Sequence, residues 1–205
     1  MLIIKAETEI LQATPDLEKL IELAGRVCWK SEDRITEGSS DKFIEMLKSK
    51  NHVSVLEHGA ITVRIICDRG ILAELSRHRI CSLSVESSRY CSYNKDKFSN
   101  QVSFIDPRPG FPDMGNERFR IWKEAMQVAE EVYLFLLERG AKPEEARNVL
   151  PNSLKTEIVI TANPREWLHI FEVRTSSGAH PQMKEIMIPL KNKFIERWPS
   201  LFNPV

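Results

Sequence analysis

Arg77-His78-Arg79-Ile80-Cys81-Ser82-Leu83-Ser84-Val85-Glu86-Ser87-Ser88-Arg89-Tyr90 packs three arginines, one histidine, four serines and one glutamate into 14 residues. Arginine presents a rigid fork of donors that suits a phosphate or a carbonyl-rich heterocycle. Serine hydroxyls and neighbouring backbone amides add neutral donors. The segment lacks the matching acids of a surface ion-pair network, so it reads as a binding cluster rather than a solvated turn.

Outward from this segment, the 205-residue chain is balanced, with 29 basic and 29 acidic residues and a 42% hydrophobic fraction. That is enough apolar material for one domain with a sizeable core, read here as residues 1–205. Zero net charge argues against a general nucleic-acid binder. No apolar run approaches the ~20 residues of a membrane span, and Met1-Leu2-Ile3-Ile4-Lys5-Ala6-Glu7 reads as a first strand rather than an export signal. Cys28, Cys67, Cys81 and Cys91 form no C-x-x-C pair and are expected as reduced thiols of a cytoplasmic protein.

Thr14 and Pro15 predict the start of a helix carrying Leu17, Leu20, Ile21, Leu23, Ala24 and Val27 at helical spacing. A second helix is expected from near Ser40. The alternation of Ile61, Val63, Ile65 and Cys67 predicts a strand, and Asp68-Arg69-Gly70 turns it into a short helix. Cys91 to Gly115 reads as a long irregular loop with a short strand over 102–105. A long helix over 116–138 is expected to bury Ile121, Ala125, Val128, Ala129, Val132 and Leu136, with Gly140 ending it. Then come a short helix from Pro143, a strand over 154–161, a helix capped by Asn163 with Pro164 first, and a last helix from His180-Pro181 toward Arg197. Strands and helices mix without regular β-α-β alternation, which makes the class α+β.

Two further stretches are polar in pattern, Ala146-Arg147-Asn148-Val149-Leu150-Pro151 and Thr161 to Arg174. In the second, Arg165 and His169 share a helix face, while Trp167, Ile170, Phe171 and Val173 form the packing face. His52 and His58 match no zinc-binding spacing, so no metal is expected. Glycines are scattered, with no G-x-G-x-x-G and no P-loop. Any nucleotide or flavin is therefore held by arginines and side-chain donors.

Taken together these residues resemble the flavin-dependent thymidylate synthases. The family signature is R-H-R, seven residues, then S, matched by Arg77-His78-Arg79 and Ser87 and followed by Ser88-Arg89-Tyr90. Supporting matches are His52-x-Ser54-x-x-Glu57-His58, Ala146-Arg147 with Leu150-Pro151, Asn163-x-Arg165, and Arg174. They run in family order from about residue 50 to 185.

The resemblance implies an α+β fold with a curved, antiparallel-rich sheet packed against helices. It implies a single domain assembled as a homotetramer, with active sites at subunit interfaces. The implied reaction methylates dUMP to dTMP, with FAD, NADPH and methylenetetrahydrofolate taking part. By position, Arg77, His78 and Arg79 resemble the flavin-binding triplet; Ser54, Asn163, Arg165 and His169 match flavin contacts; His52 matches a histidine near flavin and folate. Ser87, Ser88 and Arg89 fall where the nucleotide is held, with Arg89 suited to its phosphate. Arg147 matches a nucleotide-binding arginine, Glu74 lies where some members place Gln near the substrate, and Glu86 neighbours Val85, where relatives carry a polar residue. Arg77 counts for both ligands. Arg174 matches the arginine that activates the pyrimidine electrostatically, with no enzyme nucleophile. The alternatives are a flavin- or nucleotide-binding protein of the same fold without synthase activity, a synthase with a nucleophilic Cys81 or Cys91, and an RNA-binding module.

Overall fold

The computed structural model describes residues 1–204, with the side chain of Lys97 set aside. Strands are β1 (Leu2–Ile4), β2 (Glu7–Ala13), β3 (Ile61–Asp68), β4 (Ser82–Val85), β5 (Ser103–Ile105) and β6 (Lys155–Ala162). Helices are α1 (Leu17–Val27), α2 (Ser39–Ser49), α3 (Arg69–Leu75), α4 (Gly115–Glu138), α5 (Pro143–Ala146), α6 (Pro164–Arg174), α7 (Pro181–Arg197) and α8 (Pro199–Phe202). The class is α+β, as expected.

β2, β3, β6 and β4 are hydrogen-bonded neighbours in that order, and β1 pairs with β5 in parallel. The larger sheet is antiparallel where partners can be followed. Thr14 N donates to Ala60 O at 2.9 Å and Arg64 reaches Glu9 at 3.1 Å, so numbers fall along β2 as they rise along β3. Thr62 faces Thr161 at 2.9 Å, and Arg69 N donates to Asn152 O at 2.9 Å, so β3 and β6 also run antiparallel.

The chain divides into two compact units. The first comprises residues 1–7, 65–77 and 84–158. Its core joins Tyr93, Val102, Phe104, Met126, Tyr133, Ala146 and Leu154. The buried Met1 ammonium pairs with Glu130 at 2.7 Å, and Glu130 also accepts from Val102 N at 2.8 Å, so a charge placed among apolar groups is matched twice. Asp68 caps α3 by accepting from Ile71 N at 2.7 Å.

The second unit comprises residues 8–64, 78–83 and, of the described residues, 159–204. Trp167, Phe171, Phe194, Trp198 and Phe202 form a cluster with ring centroids 4.9–6.2 Å apart, tilted or edge-to-face. Trp167 donates from its indole to Ile61 O at 3.0 Å, which satisfies the polar edge of a fully buried side chain. Asn163 Oδ1 accepts from Glu166 N at 2.8 Å, the expected cap, worth about 1 kcal/mol.

Three local expectations fail. Thr14 does not cap α1; its hydroxyl accepts from Ala60 N at 2.9 Å, the helix opens at Leu17, and competition from the β2–β3 edge explains the difference. On α6, Val173 is exposed rather than packed. On α4, Ile121, Val128 and Val132 are exposed, and the buried face is Met126, Glu130 and Tyr133. This 24-residue helix has two apolar stripes, and the chain buries only one of them. Sequence reading also passes over β2, β4 and α8, each short or rich in polar residues.

Candidate active site

The positions assigned to flavin and to nucleotide fall mostly in different units, with Arg174 of the nucleotide set in the second unit and Arg77, counted for both ligands, in the first. Glu74, Arg77, Glu86, Ser87, Ser88, Arg89 and Arg147 lie in the first, and His52, Ser54, His78, Arg79, Asn163, Arg165, His169 and Arg174 in the second.

In the first unit, β4 leads into a turn that carries Glu86 to Arg89. Ser88 is buried and accepts a hydrogen bond from Arg147 Nη1 at 3.2 Å, 59 positions along the chain. Arg147 follows the short α5, whose Glu144 pairs with Arg89 at 3.3 Å. Two arginines and a buried hydroxyl thus cluster beside the Ser87-Ser88-Arg89 turn, a donor set fit for a phosphate. Glu86 is differently employed: its carboxylate accepts from Lys155 Nζ at 2.7 Å and from Tyr93 OH at 3.2 Å, while its backbone N donates to Glu157 O at 2.8 Å. Burial, reinforced by Glu86, raises the Tyr93 phenol, so the hydroxyl stays a donor. Arg77 is exposed at the end of α3, and Glu74 is half-buried on the same helix.

In the second unit, α6 supplies Arg165, His169 and Arg174 from one 11-residue helix. Arg165 and His169 are both exposed, on the face that packs toward the short 3-10 turn Val53–Glu57. Arg165 pairs with Glu57 of that turn, and Ser54 is exposed on it. The two α6 residues line a cavity of about 470 Å³ together with Lys48, Val53, Lys191 and Phe202. His52 is exposed, its ring edge-on to Trp29 at 6.1 Å.

His78 is the buried member of the R-H-R triplet; Arg77 and Arg79 are exposed. Its Nε2 accepts from Arg174 Nε at 2.9 Å. Its Nδ1 faces Glu166 Oε1 at 3.5 Å, and its ring stands edge-on to His169 at 5.7 Å. Burial, then the Arg174 charge, then His169 push His78 down to about 4. Burial raises the Glu166 carboxyl. Sequence reasoning missed Glu166, although Asn163-x-x-Glu166 is a capping-box pattern that flags an acid at the third helical position.

Cys81 and Cys67 lack the setting of a nucleophile. Cys81 donates to His78 O at 3.1 Å, and burial with the Glu166 charge raises its pKa. Buried Cys67 is pushed up to about 12. An activated thiolate needs the opposite environment. Among the described residues no group of three or more His, Cys, Asp or Glu is placed to hold a metal ion, and no helix is long and apolar enough to cross a membrane.

The family model described as thymidylate synthase complementing protein matches residues 9–200. The flavin-dependent thymidylate synthase of Geobacter sulfurreducens is 32% identical over 188 residues, covering 88% of this chain and 78% of that protein. The Pyrococcus furiosus enzyme of the same name is 30% identical over 179 residues, covering 87% and 72%. Among solved structures, a UMP/dUMP methylase PolB from Streptomyces cacaoi, bound with 5-Br dUMP, is similar with a TM-score of 0.80 at 26% identity, covering 98% of this chain and 95% of that one. This chain belongs to the flavin-dependent thymidylate synthase family.

Proposed function

We propose that the protein is a flavin-dependent thymidylate synthase that converts dUMP to dTMP, with methylenetetrahydrofolate as carbon donor and NADPH as reductant of bound FAD. The observation that carries this reading is the hydrogen bond between Arg174 and His78, which joins the activating arginine of the family pattern to its R-H-R triplet across 96 positions.

The residues present suit a flavin. Arg165, Lys48 and Lys191 outnumber the one acid, Glu172, around the cavity on α6, while Phe202 and Val53 give it an apolar wall, a setting for a flat ring with anionic phosphates. His52, Ser54, Arg79, Asn163 and His169 add donors from the same unit, and Arg77 completes the triplet. Bound flavin supplies the hydride that completes the methyl group. This chain's own part is to bind, orient and polarise.

Ser87, Ser88, Arg89 and Arg147 hold the nucleotide phosphate, with Glu74 and Glu86 nearby in sequence. Arg174 stabilises negative charge on the N3–C=O edge of the uracil and pushes electron density toward the carbon that attacks. One such preorganised contact lowers the barrier by about 3–4 kcal/mol, by analogy with an oxyanion-hole donor. No thiol is needed, in keeping with the raised Cys81.

Active assembly is a cytoplasmic homotetramer of single-domain chains, each site completed by neighbouring copies. In support, α4 exposes Ile121, Val128, Val132 and Phe135 at intervals of seven, four and three, with Ala125 between the first two. That 4-3 pattern is the spacing of a helix–helix seam.

The test is direct. Purified protein should be yellow and should release tritium from 5-tritiated dUMP only when NADPH and methylenetetrahydrofolate are both present. Yellow protein without release would leave a flavin-binding protein and remove the synthase. A parallel assay with 5-tritiated UMP measures how strictly the 2′-position is read, given the likeness to a UMP/dUMP methylase.

A further inference from the structure

We propose that Glu166, acting through His78, is a positioning residue for the Arg174 guanidinium. The inference rests on the reading of Arg174 as the activating residue and deepens it.

The hydrogen-bond chemistry leaves little freedom. A guanidinium is a donor only, so the 2.9 Å contact from Arg174 Nε requires a lone pair on His78 Nε2. A neutral imidazole with a lone pair on Nε2 carries its hydrogen on Nδ1. Glu166 Oε1 stands 3.5 Å from that nitrogen, long for a hydrogen bond but close enough for its charge to favour a proton there. The carboxylate therefore favours the one tautomer that can accept from Arg174. The opposite tautomer, or the imidazolium, would set an N–H against an N–H.

The surroundings keep this chain of contacts in place. The side chains of His78 and Glu166 are only 6% and 9% exposed, so water competes little for either. Glu166 and Arg174 sit at opposite ends of α6, whose start is fixed by the Asn163 cap. Cys81 ties to the His78 carbonyl at 3.1 Å, and the His169 ring stands edge-on at 5.7 Å. Arginine has a long side chain with many rotamers, and a bond to Nε orients the guanidinium plane before substrate arrives. A plane misplaced by about an ångström can cost on the order of 100-fold in rate.

A purely structural Glu166 would act only as an acid in the first turn of α6, with an effect on stability. The two roles separate in the flavin-loaded, full-length assembly. Glu166→Gln can donate to His78 Nδ1 and select the wrong tautomer. Expected is a fall in kcat on the order of 10–100-fold, as for lost partners of metal-bound histidines. The KM for dUMP and the flavin content should stay near the wild-type values, and Glu166→Asp should recover part of the rate. Nitrogen NMR of the 15N-histidine-labelled wild-type protein should show His78 with Nε2 unprotonated, and Glu166→Gln should reverse the pattern.

An unprotonated Nδ1 in the wild type overturns the proposal without any variant. So does a Glu166→Gln enzyme with normal kcat while Arg174→Ala is inactive. Normal turnover by Arg174→Ala would instead remove the reading of Arg174 itself. A Glu166→Gln loss of kcat matched by equal flavin loss would assign Glu166 to cofactor retention and overturn the positioning role.

Discussion

Arg147 donates from Nη1 to the buried hydroxyl of Ser88 at 3.2 Å, although the two are 59 residues apart. The serine fixes the arginine beside the Ser87-Ser88-Arg89 turn at little entropic cost on binding. If this cluster holds the dUMP phosphate, Arg147→Ala should weaken dUMP binding by on the order of 10–100-fold, the cost of a charge-assisted hydrogen bond. Ser88→Ala should weaken it less. Calorimetric titration of flavin-loaded protein with dUMP checks both, and unchanged affinity in Arg147→Ala would move the phosphate elsewhere.

Arg89 is held by Glu144 at 3.3 Å, in a pair about half exposed on each side. A phosphate approaching Arg89 must compete with that carboxylate. Exposed pairs of this kind contribute ~1 kcal/mol or less. Glu144→Gln should therefore tighten dUMP binding by a few-fold at low salt, and the gain should shrink as ionic strength rises. Weaker binding in the variant would mean that Glu144 positions Arg89 rather than restraining it.

Cys81 lies two positions from Arg79, close enough in sequence to suggest a thiolate. Its environment works against one: burial and the Glu166 carboxylate both favour the thiol. Cys81→Ala should retain most of its dUMP-dependent tritium release. Abolished release with flavin still bound would restore covalent catalysis through this sulfur.

Much of this was legible because several signals are local. The alternation of Ile61, Val63, Ile65 and Cys67 gave β3, all four buried, and Asn163-Pro164 gave the start of α6. The motif residues were also legible, and His78 with Arg174, and Ser88 with Arg147, are in contact. What local pattern does not carry is the choice between equivalent faces and partners. On α4 two stripes obey the same 4-3 spacing, and periodicity cannot say which one meets Tyr93 and Phe104. Thr14 had a cap and a sheet edge available, and the edge won. Glu166 stands at the third position of α6, and only the fold brings His78 to it.

The exposed α4 stripe invites its own test. Val128 and Val132 lie off the face that carries Met126 and Tyr133, so acidic residues there should leave the first unit folded. If the proposed tetramer seals along this stripe, Val128→Glu with Val132→Glu should shift sedimentation toward smaller species and lower turnover in parallel. A double variant that sediments like the wild type would place the assembly surface elsewhere.

His78 also gives folding stability a pH dependence with a definite sign. An unfolded histidine binds its proton near pH 6.5, whereas burial, Arg174 and His169 push the folded group down to about 4. Between those values the unfolded state holds more protons, so stability falls as pH falls, by at most ~1.4 kcal/mol per pH unit from this group. Above about pH 6.5 it adds no slope. Glu166, raised by burial, takes up its proton more readily in the folded state and opposes the trend at the acid end. Apo protein carrying Glu166→Gln should therefore lose stability on acidification more steeply than wild type just above pH 4.5. Adding His78→Asn should flatten the curve between pH 4 and 6.5. Denaturant midpoints measured across pH 4–8 give all three slopes, and a His78→Asn curve as steep as its parent would mean that His78 keeps an ordinary pKa in the folded protein.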